Sequence, residues 1–242
     1  MRLLTSIWCP SDTTPVPQHY NHLVQSAILA ALPEAMAARW HTPGGARPYT
    51  FSRLFGARRQ EPGGIRFCGP VTLYVAAAFP EIIDALVVAW LQTGMLRVGP
   101  AVLTLDRLWS TDIPLPPTTM EVETLAPVVI DRTVVTPDGR RKTYYYAPFE
   151  TEFGPLCVCT LLWKWRALFG EDPETDPPVR LTPVVVRPHR PVIVLYKGTV
   201  VKGWLGRFRL TGPPALLRLA LACGLGARAA QGFGMVREVP AA

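Results

Sequence analysis

Residues 224–236, Gly224-Leu225-Gly226-Ala227-Arg228-Ala229-Ala230-Gln231-Gly232-Phe233-Gly234-Met235-Val236, hold four glycines in two Gly-x-Gly pairs. Ahead of them Pro213-Pro214 opens an apolar run through Leu216, Leu217, Leu219 and Leu221. Proline suits the first helical turn and Gly224 the residue just past a helix end. Behind them Met235 to Val239 alternates like a short strand. The segment reads as helix, glycine loop, strand. A dinucleotide-binding turn needs a strand before its glycines and a helix after them, so the order argues against a Rossmann cofactor site. Glycines let backbone amides approach an anion and form a phosphate-cradling nest, and Arg228 adds a charge-assisted donor. A helix cap followed by a glycine bulge accounts for one or two glycines and poorly for four. The expectation is that Gly224, Gly226, Arg228, Gln231, Gly232 and Gly234 contact phosphate or a nucleic-acid backbone.

The charge balance points the same way. The 25 basic residues exceed the 18 acidic ones by seven, and only four of the 25 are lysines (Lys142, Lys164, Lys197, Lys202). Arginine favours bidentate phosphate contacts and stacking on bases, so the excess suggests a polyanionic partner. A chain 49% hydrophobic and 18% charged can fold around a core. No run of about 20 apolar residues suggests a membrane span, and Met1 to Trp8 is too short and polar for a signal peptide. The five scattered cysteines fit a reducing cytoplasm and read as small core residues. Cys157-Val158-Cys159 lacks a second pair, so neither a metal nor another cofactor is expected.

Taken in order, Arg2 to Trp8 reads as a strand and His19 to Trp40 as a helix that Pro33 bends or breaks. On that helix His22, Ser26 and Leu29 share one face. A Gly-Pro loop (41–48) leads to a strand from Tyr49 to Phe55, another from Ile65 to Ala77, a helix from Glu81 to Gln92, and a strand from Val98 to Trp109. This is the βαββαβ order of a ferredoxin-like domain. The second half repeats it with strand-like Val122 to Val135, a helix over 154–169, a strand over 180–187, a long hairpin over 192–210 turning near Lys197-Gly198, and the terminal unit. The expected class is α+β: two tandem ferredoxin-like domains, 1–110 and 121–242, joined by a proline-rich linker over 111–120.

With both ends read, the chain resembles the CRISPR-associated repeat-processing endoribonucleases, the sixth Cas family. Tyr20-Asn21-His22 with Gln25-Ser26-Ala27-Ile28 is similar to that family's first helix. His41 followed by Tyr49-Thr50-Phe51-Ser52 resembles its catalytic loop and second strand, and the two Gly-x-Gly pairs resemble its C-terminal glycine-rich signature. The tail motif is the specific part; the middle of the chain matches in pattern only. The resemblance implies metal-independent cleavage of CRISPR repeat RNA, with that RNA as partner, and brings with it a homodimer and hand-over of the product to an effector complex.

RNA carries its own nucleophile in the 2′-hydroxyl. An enzyme must supply a base for it, an acid for the departing 5′-oxygen, and positive charge for the phosphorane-like state; the products are a 2′,3′-cyclic phosphate and a 5′-hydroxyl. Histidine suits either proton role, and the chain has four: His19, His22, His41 and His189. His41 is the first candidate, since it corresponds to the family's histidine at the start of the Gly-Pro loop. The family's catalytic tyrosine position holds Leu29, so the second proton role falls to His22 or Tyr49. Arg47 aligns with the basic residue that steadies the scissile phosphate. His19 belongs with the helix start and His189 with a turn. For binding, Arg207 and Arg209 alternate on one face of the long hairpin, Lys197 and Lys202 lie near its turn, and Arg58 and Arg59 follow the second strand. The competing reading is a non-cleaving repeat-RNA-binding subunit of an effector complex, which has no need of His41.

Overall fold

The computed structural model describes residues 1–40, 44–187 and 189–240. Its first half runs β1 (Arg2–Pro10), α1 (Asn21–Ala31), α2 (Glu34–Trp40), β2 (Tyr49–Phe51), β3 (Arg58–Glu61), β4 (Gly64–Phe67), β5 (Val71–Ala77), α3 (Pro80–Thr93), β6 (Met95–Val98) and β7 (Ala101–Asp112). Five strands form one antiparallel sheet in the order β2-β5-β1-β7-β6. The second half runs β8 (Thr119–Thr124), β9 (Asp131–Val135), β10 (Arg141–Tyr145), α4 (Phe153–Phe169), β11 (Arg180–Val186), β12 (Val192–Tyr196), β13 (Thr199–Gly203), β14 (Gly206–Thr211), α5 (Pro214–Cys223) and β15 (Val236–Glu238). Its main sheet is ordered β11-β14-β8-β15. With added hairpins and the edge strand β6 set aside, each half is βαββαβ with its second, third, first and fourth strands side by side. Two ferredoxin-like domains stand in tandem.

Several elements differ from the sequence reading for local reasons. The first helix breaks at Leu32, whose backbone is extended because Pro33 follows it. The strand expected from Tyr49 ends at Phe51, and that expected over 65–77 is split at Cys68-Gly69-Pro70 into β4 and β5; Pro70 has no amide for the ladder. The hairpin expected over 192–210 closes at Gly203, after turning at Lys197-Gly198 as expected. Arg207 and Arg209 therefore belong to β14 in the main sheet, not to the hairpin. Of the cysteines, Cys157 and Cys223 are buried, whereas Cys68 and Cys159 are exposed.

Each sheet buries one face under its two helices. In the first domain α1 offers Val24 and Ile28, and α3 offers Ile82, Ile83, Leu86 and Trp90; Trp90 packs edge-on against Trp8 at 5.3 Å. Each such side chain contributes roughly 1.5–3 kcal/mol when fully buried. An aromatic ladder joins the domains: Trp40 stacks on Phe79 at 5.1 Å, and Phe79 meets Phe169 of α4 at 5.9 Å.

The second core also holds a charge. Lys164 of α4 is buried and its Nζ donates to the carbonyls of Cys223 (3.0 Å) and Gly224 (2.7 Å), tying α4 to the end of α5. Burial lowers its pKa from 10.5 to about 8, and burial raises the thiols of Cys157 and Cys223 from 9.0 to about 12. Between pH 8 and 10.5 the unfolded chain holds the lysine proton that the folded one has shed, so this group adds stability as pH rises, at about 1.4 kcal/mol per pH unit. Between pH 9 and 12 the unfolded chain loses thiol protons that the folded one keeps, and two cysteines reverse the trend. Urea unfolding of the wild type should show these groups' contribution peaking near pH 9. Lys164→Met should abolish the rise between pH 8 and 9; an unchanged rise would remove Lys164 as its source.

Candidate active site between the domains

The glycine loop lies in the seam between the two domains, and all four of its glycines are buried. Two of them show why glycine is required. A Cβ on Gly234 would sit 1.9 Å from the Leu225 carbonyl oxygen, and one on Gly232 2.6 Å from the Phe51 ring and 2.7 Å from the Asn21 amide nitrogen. Positive φ at both (68° and 82°) adds to the constraint. The amides expected to hold a phosphate are spent inside the fold: Leu225 donates to Gly234, Ala227 to Val129, Gln231 to Arg228, Gly232 to Ala229 and Gly234 to Pro127. Gly226 N–H lies at the Cys157 thiol. The reading of Gly226, Gly232 and Gly234 as a phosphate nest is thereby corrected; with Gly224 they let two backbone segments and a neighbouring domain come close.

What faces the first domain is instead the loop's carbonyls. Asn21 Nδ2 donates to those of Gln231 (3.1 Å) and Gly232 (3.0 Å), and Gln25 Nε2 to that of Ala230 (2.8 Å). Thr50 Oγ1 lies 3.3 Å from the Ala229 oxygen and 3.2 Å from that of Phe233, a hydroxyl shared between two acceptors. Asn21, Gln25 and Thr50 are all buried. They are the functional residues that sequence reasoning missed, although Asn21 and Gln25 stood inside the helix motif.

The seam continues above α1, where β12 packs on the helix. The Tyr196 hydroxyl, at the end of β12, donates to Gln25 Oε1, so one amide is engaged from both sides. The Tyr196 ring meets the His22 ring edge-on at 6.2 Å. His22 is half-buried, and its Nδ1 has no hydrogen-bond partner among the described residues. Tyr196 lies within electrostatic reach of Arg47 and Arg228; burial raises its pKa and the two guanidiniums oppose that rise. Arg47 Nη1 donates to the Gly45 carbonyl at 3.2 Å, which fixes its end of the loop. His22, Arg47, Arg228 and Tyr196 thus come together from both domains. Tyr196 was missed because it follows four apolar residues and reads as core.

Other expected residues are placed differently. His41 lies outside the described residues. The Tyr49 ring is fully buried, and its hydroxyl lies beside Gln25 without hydrogen-bond geometry. Burial raises its pKa to about 12, which corrects its reading as a proton-transfer group. Leu29 packs against the first domain's core. Arg228 forms a bidentate pair with Asp131 (Nε–Oδ1 3.2 Å, Nη2–Oδ2 2.8 Å), leaving its charge partly spent. Gln231 is half-buried, its Oε1 without a partner among the described residues. Arg209 pairs with Glu121 at 2.8 Å, and Arg207 faces Glu123, which also pairs with Arg237; this face of the sheet is a ladder of alternating charges rather than a basic strip. Lys197 and Lys202 are exposed on the β12–β13 hairpin, and Arg58 and Arg59 on β3.

Both halves of the chain match one protein family. The description "CRISPR-associated protein Cas6, N-terminal" covers residues 15–108, and "CRISPR associated protein Cas6, C-terminal" covers residues 113–238. The chain belongs to the Cas6 family. Its relatives include the CRISPR-associated endoribonuclease Cas6 1 of Methanocaldococcus jannaschii, 25% identical across 93% of this chain and 88% of that one. Among solved structures, a Cas6-related protein from Pyrococcus furiosus superposes with a TM-score of 0.87 at 21% identity, covering 99% of this chain and 98% of that one. A RAMP protein that binds different RNA substrates gives 0.85 at 21% identity over 99% and 100%. These structures share the Cas6 fold. Among the described residues no helix is long and apolar enough to cross a membrane, and no three His, Cys, Asp or Glu side chains cluster as a metal site.

The clasp makes a stability prediction that separates loop chemistry from backbone strain. Gly234→Ala should cost more than about 4 kcal/mol, the range of severe core clashes. Gly139→Ala, at a hairpin tip with positive φ and nothing within 4 Å, should cost only about 1 kcal/mol. Equal losses in urea unfolding would show that the close approach at Leu225 does not matter.

Proposed function

We propose that this Cas6 protein is an endoribonuclease that cuts CRISPR repeat RNA without a metal ion and releases guide RNAs for hand-over to an effector complex. The observation that carries the reading is the convergence of an imidazole (His22) and two guanidiniums (Arg47, Arg228) around Tyr196 in the seam between the domains, within a family whose curated relative is an endoribonuclease. His41, three residues before Gly44 and six before Arg47 in the sequence, is the principal proton-transfer group. His22 is the second.

The chemistry follows from the substrate. A base removes the proton of the 2′-hydroxyl, and the 2′-oxygen attacks the adjacent phosphorus. The bond to the 5′-oxygen breaks and an acid protonates that oxygen, leaving a 2′,3′-cyclic phosphate and a 5′-hydroxyl. Charge grows on the equatorial oxygens as the new bond forms. A guanidinium placed there stabilises it more than it stabilises the ground state, which is the part given to Arg47. No external nucleophile is required, so activation of water by a metal has no part in the scheme.

Two measurements test this. Repeat RNA incubated with the protein in EDTA should be cut at one bond, with cyclic phosphate and 5′-hydroxyl ends; binding without cutting would reassign the chain as a non-catalytic RNA-binding subunit. His41→Ala should lower the cleavage rate by roughly 10²–10⁴-fold, the usual worth of a general acid or base, with RNA affinity little changed. His22→Ala should cause a smaller loss of rate; no loss would remove His22 from the mechanism.

A further inference from the structure

On the other side of Arg228 lies a second recess. Helix α4 buries Phe153, Cys157, Leu161 and Lys164 against the sheet. A neighbouring stripe at three- and four-residue spacing, Leu156, Cys159, Thr160 and Trp163, instead lines a cavity of about 270 Å³ with Asp131, Arg132 and Ala227. The volume is just under the roughly 300–1,000 Å³ of small-molecule sites. Trp163 is 45% exposed there, a large indole face with solvent on one side. The wall opposite opens the β9–β10 hairpin, whose Arg132, Arg141 and Lys142 are exposed and have no carboxylate partner among the described residues. Asp131, the one carboxylate in the lining, is engaged by Arg228 through both oxygens, so it does not repel an anion. Ala227 brings the recess to the glycine loop, two residues from the clasp.

We infer that this recess is a binding pocket for one unpaired nucleotide of the RNA, its base stacked on Trp163 and its phosphate held by Arg132. An apolar flat wall beside uncompensated positive charge fits a nucleotide, since every base has a π-face and every linkage an anionic phosphate. The partner is committed by that pairing: an apolar peptide gains nothing from the arginine, and a free phosphate nothing from the indole. Asp131 in the lining pairs with Arg228, which also acts on Tyr196, so the recess adjoins the His22–Tyr196 group without including it, and the nucleotide in question lies outside the scissile linkage. The inference rests on the RNA-processing reading and adds to it a determinant of register.

The test is an abasic scan. Repeat RNA is made uncleavable by 2′-deoxy substitution at the mapped cleavage position, and single abasic sites are placed along it. Affinities are measured for the wild type, Trp163→Ala and Trp163→Phe. Trp163→Ala should weaken binding roughly 5- to 150-fold, the range of one base–aromatic stack, and Trp163→Phe should restore most of it. One abasic position should weaken binding to the wild type and cost nothing further in Trp163→Ala, while the others cost both proteins alike. Far-UV circular dichroism and a urea midpoint of Trp163→Ala matching those of the wild type show that its fold is intact. Abasic penalties that Trp163→Ala leaves unchanged at every position overturn the pocket alone. A wild type that binds no repeat RNA overturns the proposed function as well.

Discussion

Two domains of this size, joined by a short connection, hold one arrangement because buried side chains of the first satisfy backbone carbonyls of the second. Asn21, Gln25 and Thr50 carry donors into a seam from which water is excluded, and the carbonyls of residues 229–233 are their partners. An unpaired buried polar group costs about 1–3 kcal/mol, so separating the domains there without admitting water exposes several such costs at once. Apolar contact alone tolerates sliding; directional bonds to successive carbonyls do not. The aromatic ladder from Trp40 to Phe169 adds area to the seam, and the amides and the hydroxyl set its register.

That register is what brings the seam's titratable and charged groups together. Gln25 faces two ways: its nitrogen binds the loop and its oxygen receives the Tyr196 hydroxyl. The β12–β13 hairpin is thereby held over α1, and Tyr196 comes against His22 between Arg47 and Arg228. A second tie, from the Tyr145 hydroxyl to the Val200 carbonyl at 2.6 Å, joins the two hairpins of the second domain. The groups that can move protons or balance charge come from segments far apart in the chain. None of them forms a site in one domain alone.

Much of the fold was legible because hydrophobic period and turn residues report local structure directly. The helices of both halves and the main strands of the first followed from them, as did the helix end at Gly224, but the strand read over 122–135 is two, β8 and β9, in different sheets. Where the reading failed, the deciding partner was remote. The tail loop reads by what free amides can do, whereas the amides of Gly234, Ala227 and Leu225 pair with residues 127, 129 and 234, and the carbonyls of Gly232 and Phe233 with α1 and β2. Arg228 was read as a free cation, but Asp131, 97 residues away in sequence, claims it. Arg207 and Arg209 were placed on a hairpin because Gly203 was not recognised as its end; in the sheet they stand opposite Glu123 and Glu121. Tyr49 stands as a candidate for the second proton role, yet its strand lies at the seam and its ring is buried.

In the proposed reaction the clasped seam, and not the glycine amides or the outer face of the second sheet, receives the bond that is cut. The decisive measurement is a solved complex with uncleavable repeat RNA. Its scissile phosphate should lie within contact of Arg47 and the His22–Tyr196 pair, with the amides of Gly232 and Gly234 still bonded inside the protein. A scissile phosphate seated on those amides, or on the Arg207–Arg209 face, would contradict it.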